Sequence, residues 1–260
     1  MEILLLLAFI AVFIFISVMN KRNRAQKIAQ QEQNKTDAQA LKMIVNSSTS
    51  SSNKYNFLAE EDYSGTTGDI QWTLVSKEIE FNNNNHHSHT WKRTTLWSTM
   101  DVKMQEGKFL MFMSTPRIDN SKNKIKKGFF AGIVNTFAEL AIDLYVGSYF
   151  GPQYKSLVNI DGAVKIDIPE LKNFFILTND ESLSKKLLND VAVKFIVNWM
   201  HNKPRFAHES NVNMWGALFS EDGVIVSCQA DMTTAAEAKV FADFGASLAT
   251  LMKEATLQVS

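Results

Sequence analysis

The chain has a single cysteine among its 260 residues, Cys228, so a disulfide within the chain is impossible and a disulfide-rich secreted scaffold is excluded. An excess of charge of one sign is also missing, because 27 basic and 27 acidic residues give a formal net charge of zero. Binding to nucleic acid requires a positive surface that neutralises phosphates. The charge balance therefore argues against a nucleic-acid partner.

The common motifs of nucleotide, zinc and serine-hydrolase sites are absent as well. The chain has no Gly-x-x-x-x-Gly-Lys-Ser/Thr, Gly-x-Gly-x-x-Gly, His-Glu-x-x-His, Gly-x-Ser-x-Gly or paired Cys-x-x-Cys. The sequence therefore favours a protein that is not an enzyme, and it implies no cofactor.

The most distinctive segment that is present is an uncharged run from Ile3 to Met19, in which 13 of 17 residues are Leu, Ile, Val or Phe. A helix of that length covers about 25 Å, close to the thickness of the hydrocarbon core of a membrane. No small-x-small cleavage pattern follows, which favours a retained anchor over a signal peptide; a buried core helix is the other alternative. We predict a transmembrane anchor over residues 1–20, with the apolar side chains of Leu4, Leu5, Leu6, Leu7, Phe9, Phe13 and Phe15 in lipid.

Basic residues directly follow this run and decide its predicted orientation. Lys21, Arg22 and Arg24 stand on the C-terminal side of the span, against only the α-amino group on the other side. The excess of positive charge on the cytoplasmic side of membrane proteins then predicts a single-pass protein of the cell membrane, whose C-terminal domain faces the cytoplasm.

The rest of the chain divides by composition. Residues 21–54 are polar and end in a Ser-rich stretch, which predicts a helical stalk and a linker. Residues 55–260 form the predicted soluble domain. Its strands cluster before and between its helices, which favours the α+β class, with an antiparallel β-meander packed against three amphipathic helices.

The hydrophobic periodicity gives the elements of that domain. Strands are predicted at 69–79, 94–104, 108–114, 157–160, 163–168 and 174–177, and a hairpin at 211–219 and 223–229 around Glu221-Asp222-Gly223. Helices are predicted at 128–148, 182–200 and 234–254. Thr178-Asn179-Asp180 offers candidate caps for the second helix, and Thr234 with Glu237 forms a capping box for the third.

Three histidines follow an asparagine tract and are the candidate metal ligands of the chain. His86, His87 and His89 carry imidazoles, which are common ligands of transition metals. However, His86 and His87 are adjacent, and no cysteine or carboxylate completes the set nearby. A loop between two strands is the alternative, and the sequence favours it.

Two further groups have a chemical and a structural interpretation. Cys228 is a candidate nucleophile with His201 or His208 as its base, but its place in an alternating strand favours apolar packing. Glu139 and Asp143 share a helix face at a spacing of four residues, which fits a paired-carboxylate site, a metal site or a solvated stripe.

A basic run precedes the Phe-rich segment at 129–130. Lys122, Lys124, Lys126 and Lys127 stand directly before it, and such a combination can lie on an anionic lipid surface. A solvated loop that leads into a core helix is the alternative.

One family likeness is visible in the C-terminal part of the chain. A strand ending in Thr178-Asn179-Asp180, the pair Leu187-Leu188 and a hairpin with Asp222-Gly223 follow one another over residues 170–255. This order resembles a bacterial membrane-anchored domain family of unknown function. The resemblance implies no activity and no site residue.

These observations lead to one functional hypothesis and two alternatives. The main hypothesis is a membrane-tethered, non-enzymatic binding or scaffold module with a protein partner, attached to membrane lipid by its N-terminal helix. The first alternative is a metal-dependent hydrolase that uses the region from His86 to His89. The second is a sensor of anionic lipid surfaces that uses residues Lys122 to Phe130.

Overall fold

The computed structural model describes residues 2–47, 61–82, 89–114, 146–147, 149–158, 162–206, 214–230, 232 and 234–257. Its helices there are α1 (Glu2–Ala40), α2 (Glu181–Leu187), α3 (Asp190–Asn202) and α4 (Ala235–Leu257), with short 3-10 helices at Pro152–Leu157 and Pro169–Leu171. Its strands are β1 (Met43–Ser47), β2 (Glu61–Thr67), β3 (Ile70–Asn82), β4 (His89–Thr99), β5 (Leu110–Ser114), β6 (Val164–Lys165), β7 (Phe174–Thr178), β8 (Trp215–Ser220) and β9 (Gly223–Cys228).

The described strands join in one antiparallel sheet. Their order is β1-β2-β3-β4-β9-β8-β5-β7-β6, so the β8–β9 hairpin lies between β4 and β5. The predicted meander therefore continues only from β3 to β4, and the third predicted strand, β5, lies beyond the inserted hairpin. Where the chain passes from β4 to β5, the Met104 N–H donates to the carbonyl of Ser220 at 2.9 Å.

The two faces of the sheet have separate apolar cores. On the first face, which we call the helix face, side chains such as Trp97 and Val226 pack with residues of α3 and α4. On the opposite face, Leu96, Leu218 and Ile225 pack with residues of the segment 146–158. Because successive side chains of a strand point to opposite faces, one strand serves both cores. The α+β class predicted from the sequence is thus confirmed.

Aromatic rings form the centre of the core on the helix face. Trp215 lies edge-on to Phe112, Phe174 and Phe244, with ring centroids 5.9, 5.3 and 5.3 Å apart. Phe244 of α4 also stacks on Trp199 of α3, at 4.1 Å between the ring centroids. Such pairs stabilise a core by about 0.5–1.5 kcal/mol each beyond the area that they bury. The rings thereby fix α3 and α4 to the sheet.

The second predicted helix is two helices in the structure. The break falls after Leu187, and the Asn189 side chain caps α3 by accepting hydrogen bonds from the N–H groups of Val191 and Ala192, both at 3.0 Å. The break changes the phase of the helix. Val191, which an unbroken helix would place in line with Leu183 and Leu187 at a spacing of four residues, is therefore 62% exposed. Ala192 is buried in its place.

The N-terminal part of the chain joins the fold earlier than the composition suggested. Ala38 of α1 and Met43 of β1 are buried in the core of the helix face, at 0% and 2% exposure. β1 pairs with β2 from Met43 opposite Gly65 to Ser47 opposite Glu61. Residues that the sequence assigned to a stalk and linker therefore form an outer strand of the sheet. The predicted start of the domain near residue 55 lies outside the described residues.

The predicted membrane anchor is corrected by the structure. Over the part of the chain whose side chains are described, which in α1 begins at Val12, no helix is long and apolar enough to cross a membrane. α1 does not end with the apolar run but continues through Lys21, Arg22 and Arg24 to Ala40, so polar residues make up much of its length. This finding contradicts the transmembrane helix in the predicted fold. It also contradicts the predicted single-pass localisation in the cell membrane with a C-terminal domain in the cytoplasm.

Candidate functional site

A cleft of about 310 Å³ opens on the opposite face of the sheet, where the β8–β9 turn meets the end of β4 and the 3-10 helix Pro152–Leu157. We call it the hairpin cleft. Its lining comprises Ser98, Thr99, Met100, Tyr154, Ser156, Leu157, Ser220, Asp222, Gly223, Val224 and Ile225.

The floor of the hairpin cleft is set by the pairing of β4 with β9. Ser98 lies opposite Ile225, and Thr99 lies opposite Val224. Ile225 is 6% exposed and belongs to the core of the opposite face, so the floor is both apolar and continuous with that core. A rigid strand pair therefore positions the cleft.

Gly223 allows the hairpin to approach β4 closely enough to close one end of the cleft. Its φ is +139°, and a Cβ atom at this position would lie 2.2 Å from the carbonyl oxygen of Thr99. Only glycine has both the conformational freedom and the small size that this approach requires. The Asp-Gly pair noted in the sequence thus has a steric reason in the structure.

The outer wall comes from the segment that covers the opposite face. Tyr149 is buried and its hydroxyl donates to the carbonyl of Ser114 at 2.6 Å, which fixes the segment to the end of β5. Tyr154 and Leu157 of the following 3-10 helix are partly buried against the same core. These contacts hold one side of Tyr154 against the sheet and leave another side in the cleft.

Some polar side chains around the cleft form hydrogen bonds within the protein, and others do not. Ser98 shares a hydrogen bond with Thr73 at 2.9 Å between the hydroxyl oxygens, and the Thr99 hydroxyl donates to the carbonyl of Gln71 at 2.6 Å. By contrast, the side chains of three lining residues make no hydrogen bond or ion pair with any described residue: Tyr154, Ser156 and Asp222.

Acidic side chains at the turn show the same contrast. Glu221 accepts a hydrogen bond from the Gly107 N–H, and Asp101 accepts one from the Gln71 N–H at 2.6 Å. Both carboxylates therefore fix neighbouring backbone. Asp222 is exposed and fixes no backbone among the described residues, so its carboxylate remains available to a ligand.

The Thr178-Asn179-Asp180 motif has a structural task near the cleft. The Thr178 hydroxyl donates to the carbonyl of Phe109 at 2.6 Å, and the Asn179 amide contacts the Phe109 N–H and the Gly107 carbonyl, at 3.0 and 2.7 Å. Asp180 caps α2 by accepting from the Leu183 N–H at 3.0 Å, which confirms the predicted cap. The motif thus fixes the loop before β5 and starts a helix.

The other sequence candidates do not meet at the hairpin cleft. Cys228 is 3% exposed in the core of the helix face, and His201 is exposed on α3. Phe13 and Phe15 lie on α1 and are 76% and 65% exposed. His89 begins β4, which places its backbone opposite Asn82 of β3.

Several predicted sites lie outside the described residues. These are His86 and His87 of the candidate metal site, and the possible base His208. The helix at 128–148 with Glu139 and Asp143 falls there too, apart from residues 146 and 147, and so do Lys122, Lys124, Lys126 and Lys127. The metal-dependent hydrolase and the lipid-surface sensor therefore stay predictions. Within the described part of the chain, no group of three His, Cys, Asp or Glu side chains could hold a metal ion.

The sequence did not single out the residues that line the cleft. Asp222 was seen only as a turn residue, and Met100, Tyr154 and Ser156 had no assigned role in a site. No local sequence pattern identifies them, because they come from three separate parts of the chain that the sheet brings together. Comparison with family models, with curated proteins and with solved structures finds no match to this chain.

Proposed function

We propose that this chain is a non-enzymatic protein-binding module, and that the hairpin cleft receives side chains of its protein partner. The observation that carries the proposal is the cleft itself, with an aliphatic floor and uncommitted polar groups at its walls. Its volume of about 310 Å³ lies at the lower end of the range of roughly 300–1,000 Å³ that binding pockets occupy.

The lining has the mixture of chemistry that protein interfaces use. Leu157 and Ile225 offer apolar surface, while Tyr154 and Ser156 offer hydroxyl groups. Interface cores are enriched in tyrosine and methionine and bury apolar area within a polar rim. The cleft therefore fits a partner that contributes an apolar contact and a few hydrogen bonds.

Met100 gives the rim an adaptable apolar side chain. It is 71% exposed, at the bend that follows β4. Methionine is unbranched and polarisable, and it recurs on surfaces that adapt to different partners. Moving Met100 from water into a contact with a partner would release about 1.5–3 kcal/mol if its burial were complete. An exposed Met100 thus favours a contact that is completed by another molecule.

A photo-crosslinking experiment tests the proposal. The full chain carries p-benzoylphenylalanine in place of Met100 in cells that produce it, and in place of Val191 of α3 as a control of similar exposure, 62% against 71%. We expect a discrete crosslinked adduct from position 100 and not from position 191, because only position 100 lies at the cleft.

Blocking the cleft supplies the second comparison. Ser156→Trp fills the cleft from an exposed position on its wall, and Ser247→Trp adds the same ring at an exposed position of α4. We expect the position-100 adduct to fall at least five-fold with Ser156→Trp and to persist with Ser247→Trp, while urea unfolding shows both variants folded. An adduct that forms equally from positions 100 and 191, or that survives Ser156→Trp, would contradict the proposal, as would the absence of any adduct.

A further inference from the structure

Asp222 is the charged member of the cleft lining, and its carboxylate has no partner among the described residues. Among the lining residues whose side chains the structure describes, none is a Lys, Arg or His that would balance this negative charge. Because Glu221 and Asp101 are engaged by backbone N–H groups, Asp222 differs from its acidic neighbours in being free to bind a cation.

The turn itself does not need this carboxylate. Aspartate is common in turns because its side chain hydrogen-bonds the backbone two residues further on. Asp222 makes no such bond to the described backbone, and the turn is closed by the Ser220–Gly223 pair and by the glycine at 223. The backbone hydrogen bond that usually explains an aspartate in a turn therefore does not explain Asp222.

The remaining lining suits the rest of a basic side chain. Lysine and arginine have long aliphatic stems that pack on apolar surface while the charged group stays near water. Leu157 and Ile225 offer such a surface, and the exposed Asp222 stands at the opening. Ammonium and guanidinium groups donate hydrogen bonds and accept none, and the hydroxyl oxygens of Tyr154 and Ser156, which no described residue engages, are acceptors.

We infer that the hairpin cleft selects a lysine or arginine side chain of the protein partner, with its stem on the aliphatic floor and its cation at Asp222. This inference rests on the proposed function, since it names the chemistry of the partner at the same site. Because Asp222 is exposed, water and salt screen this ion pair, and the preference for a cation that it gives is modest.

The experiment uses small probes that share a short aliphatic chain and carry a positive, a neutral or a negative head group. The full chain is titrated with n-butylammonium, n-butanol and butyrate, and backbone amide NMR signals of Gly223 and Ile225 report binding at the cleft. We expect n-butylammonium to bind roughly three-fold to ten-fold more tightly than n-butanol, and butyrate to bind more weakly than either. The preference should shrink as NaCl is raised, because salt screens a partly exposed ion pair.

Two substitutions that each remove one negative charge test whether the preference for n-butylammonium arises at Asp222. Asp222→Asn keeps the shape of the side chain and should make n-butylammonium and n-butanol bind equally. Glu254→Gln removes the same charge from an exposed position of α4, remote from the cleft lining, and should keep the full preference. Both variants alter exposed side chains, and their urea midpoints verify that they fold.

The outcomes separate this inference from the proposed function. Equal binding of n-butylammonium and n-butanol to the unmodified chain overturns the inference but leaves an apolar cleft able to receive a partner. A preference that persists in Asp222→Asn, or that disappears in Glu254→Gln, also overturns it. If no probe moves the Gly223 and Ile225 signals, the inference fails, and the crosslinking from position 100 decides the proposed function by itself.

Discussion

Three consecutive residues of the β8–β9 turn act in different ways. Glu221 uses its carboxylate to fix the Gly107 N–H, and Gly223 lets the turn approach Thr99. Asp222, between them, bonds to no described residue and lines the cleft. The structural tasks fall to Glu221 and Gly223, so a substitution of Asp222 is expected to leave the stability of the fold unchanged and to test the proposed binding alone.

Gly223→Ala should destabilise the fold by about 2–4 kcal/mol, because the new Cβ meets backbone at 2.2 Å and φ is +139°. Gly68→Ala is the matched control, since Gly68 also has a positive φ, +62°, but a Cβ added there would have no described neighbour within 4 Å. We expect that control to cost about 1–2 kcal/mol. Urea denaturation of the two variants measures the difference, and an equal loss would show that the close approach to Thr99 is unimportant.

The elements at the N-terminal side show how a short strand joins the sheet. In β1, Met43 points into the core at 2% exposure and its neighbour Ile44 is 64% exposed. This alternation is what a strand with one buried face requires. Leu41, which follows α1, also packs against the core, so the link from α1 to β1 belongs to the folded body.

Met43→Ala and Ile44→Ala are a matched pair that tests whether β1 is part of the stable fold. Met43→Ala should lower the free energy of unfolding by about 2–4 kcal/mol, because it leaves a cavity in the core. Ile44→Ala should change it by no more than about 0.5 kcal/mol, because Ile44 faces solvent. Thermal and urea unfolding of both variants provide the measurement. Similar small losses for the two would mean that the sheet is stable without β1.

At the scale of the whole molecule, polar contacts join α4, near the C-terminal end of the described chain, to the β2–β3 turn far away in the sequence. Lys253 donates to Asp69 of the β2–β3 turn at 2.7 Å, and Asp243 accepts from the Thr67 hydroxyl at 3.1 Å. The hydrogen bond from Lys253 holds the pKa of Asp69 below its ordinary value, helped by the backbone N–H of Asp69 and the positive charge of Lys253. The same bond and the charges of Asp69 and Asp101 raise the pKa of Lys253, against the effect of its desolvation.

These two shifts predict a window of pH in which the contact stabilises the fold. A lowered carboxyl pKa gives stability that is full above about pH 4 and is lost as the pH falls through the pKa of folded Asp69. A raised lysine pKa gives stability that is full below about pH 10 and is lost as the pH rises through the pKa of folded Lys253.

A double-mutant cycle with Asp69→Asn and Lys253→Met measures this window. The coupling between the two sites, taken from urea midpoints, should be positive near neutral pH and vanish at both extremes. Because both groups are at the surface, high salt should weaken it. A coupling that is the same at every pH would show that it does not come from the charges.

The sequence by itself determined features that depend on residues close together in the chain. The pattern of apolar side chains placed β3 and β7 within a few residues of their observed bounds. The capping box at Thr234 has both of its hydrogen bonds to Glu237, each at 3.2 Å. Such signals are readable because helix caps and strand alternation act over three or four residues.

Only the tertiary structure decided which distant elements lie side by side. The insertion of β8 and β9 between β4 and β5, the burial of Met43 and the break before α3 follow from packing against partners far away in the chain. The hairpin cleft is the clearest example of a feature that only the tertiary structure decided, because Met100, Tyr154 and Asp222 each have ordinary local surroundings in the sequence. Their shared site exists because the antiparallel pairing of β4 with β9, and the segment packed over it, bring the three together at one end of these strands.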